Sequence, residues 1–299
     1  MSASESKRVG FIGLGNMGGS FSARLVEQGW EVIGWNRAVD PIELEFIEQA
    51  KAAGVTVVDD PAEAVATGIV LSSLPNDAVV GAVFTPELLA AAPEGTVHAN
   101  LATISAEGAE RLATTHAAAG VGYVAAPVLG GIAIARAGKV AILASGSESD
   151  IERARPALAD ISRVIEYIGP HAGDGNSMKI AVNLLSMHAI QALSEAIVIL
   201  ERKGVDATRL VPIIADGPFP GPIYGVYGDM VARHEYEPAK FSMALARKDL
   251  GLAVEAAHSA GIPVPVADEL VKIFDEALAR GYANLDWSSV SEVTRNPSA

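Results

Sequence analysis

The chain contains no cysteine. Disulfides, thiolate nucleophiles and cysteine-ligated metals are therefore excluded. Positive charge is also scarce: 22 Lys and Arg stand against 36 Asp and Glu, a formal net charge of −14. A protein that tracks a phosphate backbone needs a concentrated basic surface, and none is visible, so no nucleic-acid partner is expected. Long apolar runs are missing as well. Gly, Pro or charge interrupts them before the roughly 18 residues of a membrane helix, so no membrane partner is expected. The polar stretch Met1–Arg8 is too short for a signal peptide ahead of the first strand. The expectation is a soluble, cytoplasmic protein. What is plentiful is apolar side chain, 50% of 299 residues, enough to bury a real core. At roughly 100–200 residues per domain the length suggests two domains.

The apolar run 9–12 stops at a glycine cluster, a helical pattern carrying Met17, Phe21 and Leu25 follows, and 30–35 reads as the next strand. The alternation then repeats. Helices are expected at 42–53, 61–66, 77–84, 106–119 and 148–161, and strands at 55–57, 69–74, 96–101, 122–126, 139–145 and, at the edge, 164–167. Strands separated by helices predict a mostly parallel sheet covered on both faces. The character changes in the segment Gly169–Gly175. From Ser177 to Arg202 the chain is one amphipathic stretch without Pro or Gly, and strand-like runs do not return. The expected division is 1–170 for an α/β domain and 171–299 for an all-helical domain, joined by the long helix.

Gly13, Leu14, Gly15, Asn16, Met17 and Gly18 fit G-x-G-x-x-G between a strand and a helix. In that pattern the first glycine makes the tight turn, the second lets backbone approach a pyrophosphate, and the third allows close helix–strand contact. Glycines used only for turn geometry would give the same pattern. Dinucleotide sites for NAD usually place Asp or Glu at the end of the second strand to accept from the ribose 2′-hydroxyl. Here Asn36 and Arg37 stand there, with Asp40 beyond the strand end. Arg holds a 2′-phosphate with forked, charge-assisted hydrogen bonds. The cofactor expected is NADP(H).

Three further segments carry candidate chemistry. The stretch Ala125–Gly131 falls at a strand end, where Gly130 and Gly131 can turn backbone N–H groups toward a small anion. Lys179 and Asn183 lie four residues apart and share a helix face, as does Ser186, whereas His188 points elsewhere. A lysine screened from water can lower its pKa into the range useful for proton transfer. On spacing alone, an ordinary surface lysine is the plainer alternative. Lys248–Asp249 sits on an amphipathic pattern that composition alone would assign to a salt-bridged helix.

Together these ordered motifs resemble the β-hydroxyacid dehydrogenase family, the relatives of 3-hydroxyisobutyrate dehydrogenase, tartronate semialdehyde reductase and glyoxylate/succinic semialdehyde reductase. The resemblance runs nearly the whole chain. It takes in the glycine fingerprint, Leu74–Pro75–Asn76, Pro127–Val128 with Gly130–Gly131, Gly173/Gly175/Lys179/Asn183, Phe241/Lys248/Asp249, and Asp286 with Ser288–Ser289–Val290. It implies a Rossmann-type sheet domain followed by a helical domain. It implies Lys179 as general acid in reduction and general base in oxidation, with Asn183 orienting substrate and lysine. Gly130 and Gly131 would bind a substrate carboxylate, Thr103 would lie between nicotinamide and substrate, and Leu74, Pro75 and Lys248 would contact the cofactor. A homodimer or homotetramer is implied, and no metal. Six histidines scattered without metal-ligand spacing agree with the last point.

The chain departs from the family pattern at Leu129, Ala125, Val182 and Ala102, each less polar than the usual residue. Leu129 removes a hydroxyl that would meet a carboxylate, and an unpaired carboxylate there would be costly. Imine reductases share the architecture and a similar Asn–Arg signature but commonly replace the catalytic lysine, which this chain keeps. Carbonyl reduction is the main expectation and imine reduction the alternative; a nucleotide-binding protein without catalysis is a third. Phe219, Tyr224 and Tyr227, in an expected loop over 216–228, fall where the family varies its pocket; Tyr224 is a candidate substrate contact.

Overall fold

The computed structural model describes residues 7–217 and 219–297. Most of the polar N-terminal segment and Pro218 lie outside the described residues. The chain forms two compact units, divided between Lys179 and Ile180. The expected boundary was nine residues earlier.

The first unit alternates strand and helix: β1 (Arg8–Ile12), α1 (Asn16–Glu27), β2 (Glu31–Trp35), α2 (Pro41–Ala52), β3 (Thr56–Val57), α3 (Pro61–Val65), β4 (Ile69–Ser72), α4 (Asp77–Val83), α5 (Pro86–Ala90), β5 (Val97–Asn100), α6 (Ala106–Ala118), β6 (Gly122–Ala125), β7 (Val128–Leu129), α7 (Ile132–Arg136), β8 (Val140–Gly146), α8 (Glu148–Ile161) and β9 (Ser162–Gly169). The sheet order is β3-β2-β1-β4-β5-β6-β8-β7, with β9 pairing β8 from the other side. β3 to β6 run parallel, β8 is antiparallel to β6 and β7, and β9 is parallel to β8. Strand order reverses between β1 and β4, so the crevice beyond their carboxyl ends is where such a sheet binds ligands.

Burial follows from strand geometry, because successive side chains point to opposite faces. Phe11 packs with Phe21, Leu25 and Leu158 on one face, while its neighbour Ile12 packs with Val70, Phe84 and Ile104 on the other. Helix starts are written in the sequence. Asp40, Asp60, Asn76, Thr85 and Ser105 each accept a hydrogen bond from a backbone N–H in the first turn of the helix they precede.

The long helix α9 (Ala172–Arg202) begins inside the glycine-rich segment rather than at Ser177. By length and mean hydropathy (1.4) it is long and apolar enough to cross a membrane, and 44% of that window is buried within the protein. The second unit continues with α10 (Leu210–Ala215), α11 (Pro222–Arg233), α12 (Met243–Ser259), α13 (Pro265–Ala279) and α14 (Ser291–Arg295). No strand pair is present among its described residues beyond a single bridge, Ser242 to Asp286. Its core gathers Met187, Met243, Leu250, Phe274 and Trp287. The expected loop over 216–228 is half helix: Gly221, at φ +123°, turns the chain and Pro222 opens α11, which carries Tyr224 and Tyr227.

Candidate active site

The glycine turn shows which of its glycines serve the protein and which leave room for a ligand. Gly13 has φ +91°, and a Cβ there would lie 2.4 Å from the Ser73 carbonyl oxygen. A Cβ at Gly18 would lie 1.8 Å from the Gly13 oxygen. Both positions are closed to any larger residue. Gly15 differs, since a Cβ there would meet nothing nearer than Phe46 at 3.9 Å. Gly15 is also the N-cap of α1, and no side chain closes that end. The first N–H groups of α1 are thus left for an anion, and the donor set fits a pyrophosphate. Asn16 is exposed, while Met17 packs against the core. Leu14 is a core residue by its side chain, and only its backbone takes part in the turn.

At the end of β2 the Asn36 amide does not stand open. Its Oδ1 accepts from Leu14 N at 2.9 Å and its Nδ2 donates to the Arg37 carbonyl at 2.9 Å. Asn36 therefore ties the glycine turn to β2. Arg37 is exposed, and its guanidinium is paired with Glu43.

The neighbouring strand ends are sewn to the same crevice. Gly13 N donates to the Trp35 oxygen, Ser73 N to the Ile12 oxygen and Leu101 N to the Ser72 oxygen, at 2.8–2.9 Å. Leu74 borders Gly13, and Pro75 follows it. The loop with Thr103, which is half-buried, leaves β5 beside them.

Beneath this loop lies a buried polar chain that sequence reading missed. His116 Nδ1 contacts the Leu112 carbonyl at 2.7 Å, His116 Nε2 meets His98 Nδ1 at 2.9 Å, and His98 Nε2 meets Ser72 Oγ at 2.7 Å. A carbonyl only accepts, so His116 carries its proton on Nδ1, and the direction of every further bond follows. His98 donates to His116, and the Ser72 hydroxyl donates to His98. The single Ser72 proton is then unavailable to Asn100 Oδ1 at 3.2 Å, which instead accepts from Ala102 N at 3.1 Å. Asn100 Nδ2 donates to the Tyr123 hydroxyl at 3.1 Å.

Burial holds both imidazoles neutral, His98 well below its ordinary pKa and His116 down to about 4. Both are depressed in the fold, so below about pH 6.5 the unfolded chain binds more protons. Stability is full above that pH and falls towards pH 4, by up to about 1.4 kcal/mol per pH unit for each histidine. We expect the His98 and His116 imidazoles to show no NMR titration step between pH 8 and pH 5. The urea midpoint should drop across the same range. An ordinary titration of either imidazole would refute this.

β7 and α7 were absent from the sequence-based prediction. They flank Gly130, which has φ +143° and where a Cβ would lie 2.9 Å from Ile134. Leu129 is half-buried in β7, opposite Ala141 of β8, and Gly131 caps α7.

The start of α9 is seated by its glycines. A Cβ at Gly175 would lie 2.5 Å from the Leu143 oxygen, and one at Gly173 would lie 3.1 Å from Ala106. Gly175 N donates to Ser145 Oγ at 2.9 Å. One residue on, fully buried Asn176 accepts from Ile104 N at 3.2 Å, next to Thr103, and its Nδ2 has no hydrogen-bond partner. Asn176 thus ties the Thr103 loop to the helix turn that carries half-buried Lys179. Sequence reading passed over it because a lone Asn among glycines reads as linker.

In the second unit Asn183 is buried and donates from Nδ2 to Asp249 Oδ2 at 2.6 Å, while Asp249 Oδ1 pairs with Lys248 Nζ at 2.9 Å. The adjacent basic–acidic pair of α12 therefore fixes the Asn183 amide. Tyr224 packs against Phe219, with ring centroids 5.0 Å apart, in the small cluster of Leu193 and Val231. Tyr227 lies edge-on to Trp287 at 5.3 Å, and burial raises its phenol to about 12. His188 is half-buried, and its Nε2 has no hydrogen-bond partner. No cluster of three metal-ligating side chains occurs among the described residues.

Two family models match. Residues 8–169 match the NAD binding domain of 6-phosphogluconate dehydrogenase, and residues 173–294 match the NAD-binding domain of NADP-dependent 3-hydroxyisobutyrate dehydrogenase. The 2-(hydroxymethyl)glutarate dehydrogenase of Eubacterium barkeri is 31% identical, covering 97% of this chain and 95% of its own. The solved 3-hydroxyisobutyrate dehydrogenase of Mycobacterium tuberculosis, determined with L-serine, is 32% identical with a TM-score of 0.84, covering 97% of this chain and 99% of its own. An imine reductase from Pseudomonas sp. shares the fold at 20% identity and a TM-score of 0.63, covering 97% of this chain and all of its own. A glycine turn open at Gly15, a lysine one turn ahead of a fixed asparagine, and matches along both units place this chain in the 3-hydroxyisobutyrate dehydrogenase family of nicotinamide-dependent oxidoreductases.

Proposed function

We propose that the chain reduces a small carbonyl compound, a semialdehyde or 2-oxo acid, with NADPH, and catalyses the reverse oxidation of the corresponding hydroxyacid. The observation that carries this reading is the pair Lys179 and Asn183, one turn apart on α9, with the Asn183 amide fixed by Asp249 at 2.6 Å. The uncapped start of α1 and the strand-end loops hold the dinucleotide, and Arg37 favours the 2′-phosphate. When bound, the reduced nicotinamide supplies hydride to the carbonyl carbon. Lys179 protonates the oxygen as negative charge develops there, and Asn183 orients the reacting group. Gly130 and Gly131 offer backbone N–H groups to a substrate anion, and Thr103 borders the reacting centre. Positioning and charge stabilisation supply most of the rate gain.

One observation favours a second reading. Leu129 places an aliphatic side chain where the resemblance implies a hydroxyl, which suits an uncharged substrate such as a cyclic imine. Initial rates of NADPH oxidation decide between the two. The panel contains glyoxylate, succinic semialdehyde, methylmalonate semialdehyde, tartronate semialdehyde, an uncharged aldehyde and a cyclic imine. We expect a carboxylated aldehyde to lead; a lead for the imine or the uncharged aldehyde would remove hydroxyacids as the substrate class.

A further inference from the structure

We propose that Glu43 sets the dinucleotide specificity of this site, by engaging the Arg37 guanidinium and by offering a ribose 2′-hydroxyl the carboxylate that position 36 lacks. The inference rests on the nicotinamide-dependent reading above and deepens it. Sequence alone puts Asn36 and Arg37 at the 2′ position, and together they point to a phosphate. The structure alters the chemistry of both. The Asn36 amide is committed to Leu14 N and the Arg37 carbonyl, so it contributes little to a ribose.

Arg37 does not stand as a lone cation. Glu43, in the first turn of α2, reaches back so that its Oε1 accepts from Arg37 Nε at 2.7 Å and from Nη2 at 2.6 Å. Its Oε2 accepts from Val39 N at 3.0 Å. The carboxylate is thus held from two sides, with 16% of its side chain exposed against 63% for Arg37. Glu43 is lowered below the ordinary carboxylate range, first by the hydrogen bond from Arg37 and then by that from Val39, so it is ionised at neutral pH.

The pairing has two consequences. One edge of the guanidinium fork is occupied, and a 2′-phosphate must use the remaining edge or displace the carboxylate. Asp40, which caps α2, adds a second negative charge beside Arg37. One positive and two negative groups then face a phosphate that itself carries nearly two negative charges. A 2′-hydroxyl meets the opposite situation. It is neutral, it donates, and a carboxylate oxygen has a second lone pair for it. Glu43 therefore does from the start of α2 what an acid at the strand end does in NAD sites. Arg37 makes NADPH usable, and Glu43 keeps NADH usable.

Binding, rather than turnover, tests this. NADPH and NADH are titrated separately onto the full chain, followed by calorimetry, for the wild type, Glu43→Gln and Glu43→Ala. Gln keeps an oxygen for the Val39 N–H; Ala removes the group altogether. We expect wild-type Kd values for the two nucleotides within about tenfold of each other. A surface charge a few ångströms from a dianion alters affinity by about tenfold, so both variants should shift the Kd ratio towards NADPH by about that factor. An unchanged ratio, a shift towards NADH, or loss of both nucleotides from both variants would overturn the proposal while leaving the nicotinamide reading intact. Failure of the wild type to bind either nucleotide would overturn both.

Discussion

Lys179→Ala is expected to lower kcat by about 10²–10⁴-fold, the range over which a positioned general acid acts, with nucleotide affinity unchanged. The expected dinucleotide contacts lie at the glycine turn and the ends of β1, β2 and β4. The lysine is placed by backbone fit: Gly175 lets the start of α9 approach the Leu143 carbonyl, and Asn176 fastens the Ile104 N–H. Truncation at Lys179 leaves that seating in place. Lys179→Arg separates charge from proton transfer. A guanidinium keeps the positive charge but does not release its proton near neutral pH. If Lys179 donates the proton, Arg should be nearly as poor as Ala and the pH–rate profile should lose its lysine-dependent limb. Turnover within threefold of wild type in either variant would remove Lys179 from the mechanism.

Arg295→Met is expected to destabilise the second unit by about 3–5 kcal/mol, the effect of stranding charges that lose a buried partner. Arg295 is only 8% exposed and donates to both Glu201 oxygens at 2.7 and 2.8 Å, to Glu292 at 2.7 Å, to the Tyr236 hydroxyl at 2.8 Å and to the Val231 carbonyl at 2.7 Å. It therefore joins the end of α9, the end of α11 and α14. Removing it takes the guanidinium from both carboxylates and leaves them His234, 3.7 Å from Glu201 and 3.0 Å from Glu292, as their remaining basic neighbour. Urea unfolding, followed by the tryptophan signal, measures the loss. The double variant Glu201→Leu with Arg295→Met should recover part of it, because it removes one of the two carboxylates that lose the guanidinium and leaves only Glu292. A loss below 1 kcal/mol for the single variant would mean that the pair behaves as a solvated surface bridge.

Elements with a strong period or a capping residue were legible in the sequence. Strand, glycine turn and helix at the amino end follow from spacing, and α8 was expected with the residues it has, Glu148–Ile161. Among the short elements β3 and α3 were expected, whereas α5, despite its Thr85 cap, β7 and α7 were not. β7 has two residues and is fixed by pairing with β8, and α7 has five and follows the turn at Gly130. The start of α9 is not legible because glycine ordinarily signals a linker, whereas Gly173 and Gly175 mark close approach of neighbouring backbone inside a helix. At the site, residue types were legible and their partners were not. Asn36 shows in the sequence as a ribose neighbour, but nothing in its spacing reveals that Leu14 N claims its oxygen. The pairing of Arg37 with Glu43, six residues on, depends on the turn made by Val39, Asp40 and Pro41. Asp249 was visible beside Lys248, whereas its bond to Asn183, 66 positions away, is a product of helix packing.

The chain of bonds from Leu112 through His116, His98 and Ser72 constrains how this interior can change over generations. Each link has an assigned donor and acceptor, so a substitution at one position leaves its neighbour with an unmatched polar group in a dry setting, a defect of about 1–3 kcal/mol. Replacing all members by apolar residues of matching shape would be tolerated, but every single-step route to that state crosses variants less stable than either end. Ser72, His98 and His116 are therefore expected to be exchanged as a set. A library varying the three positions together should yield folded members that libraries varying one position at a time do not contain.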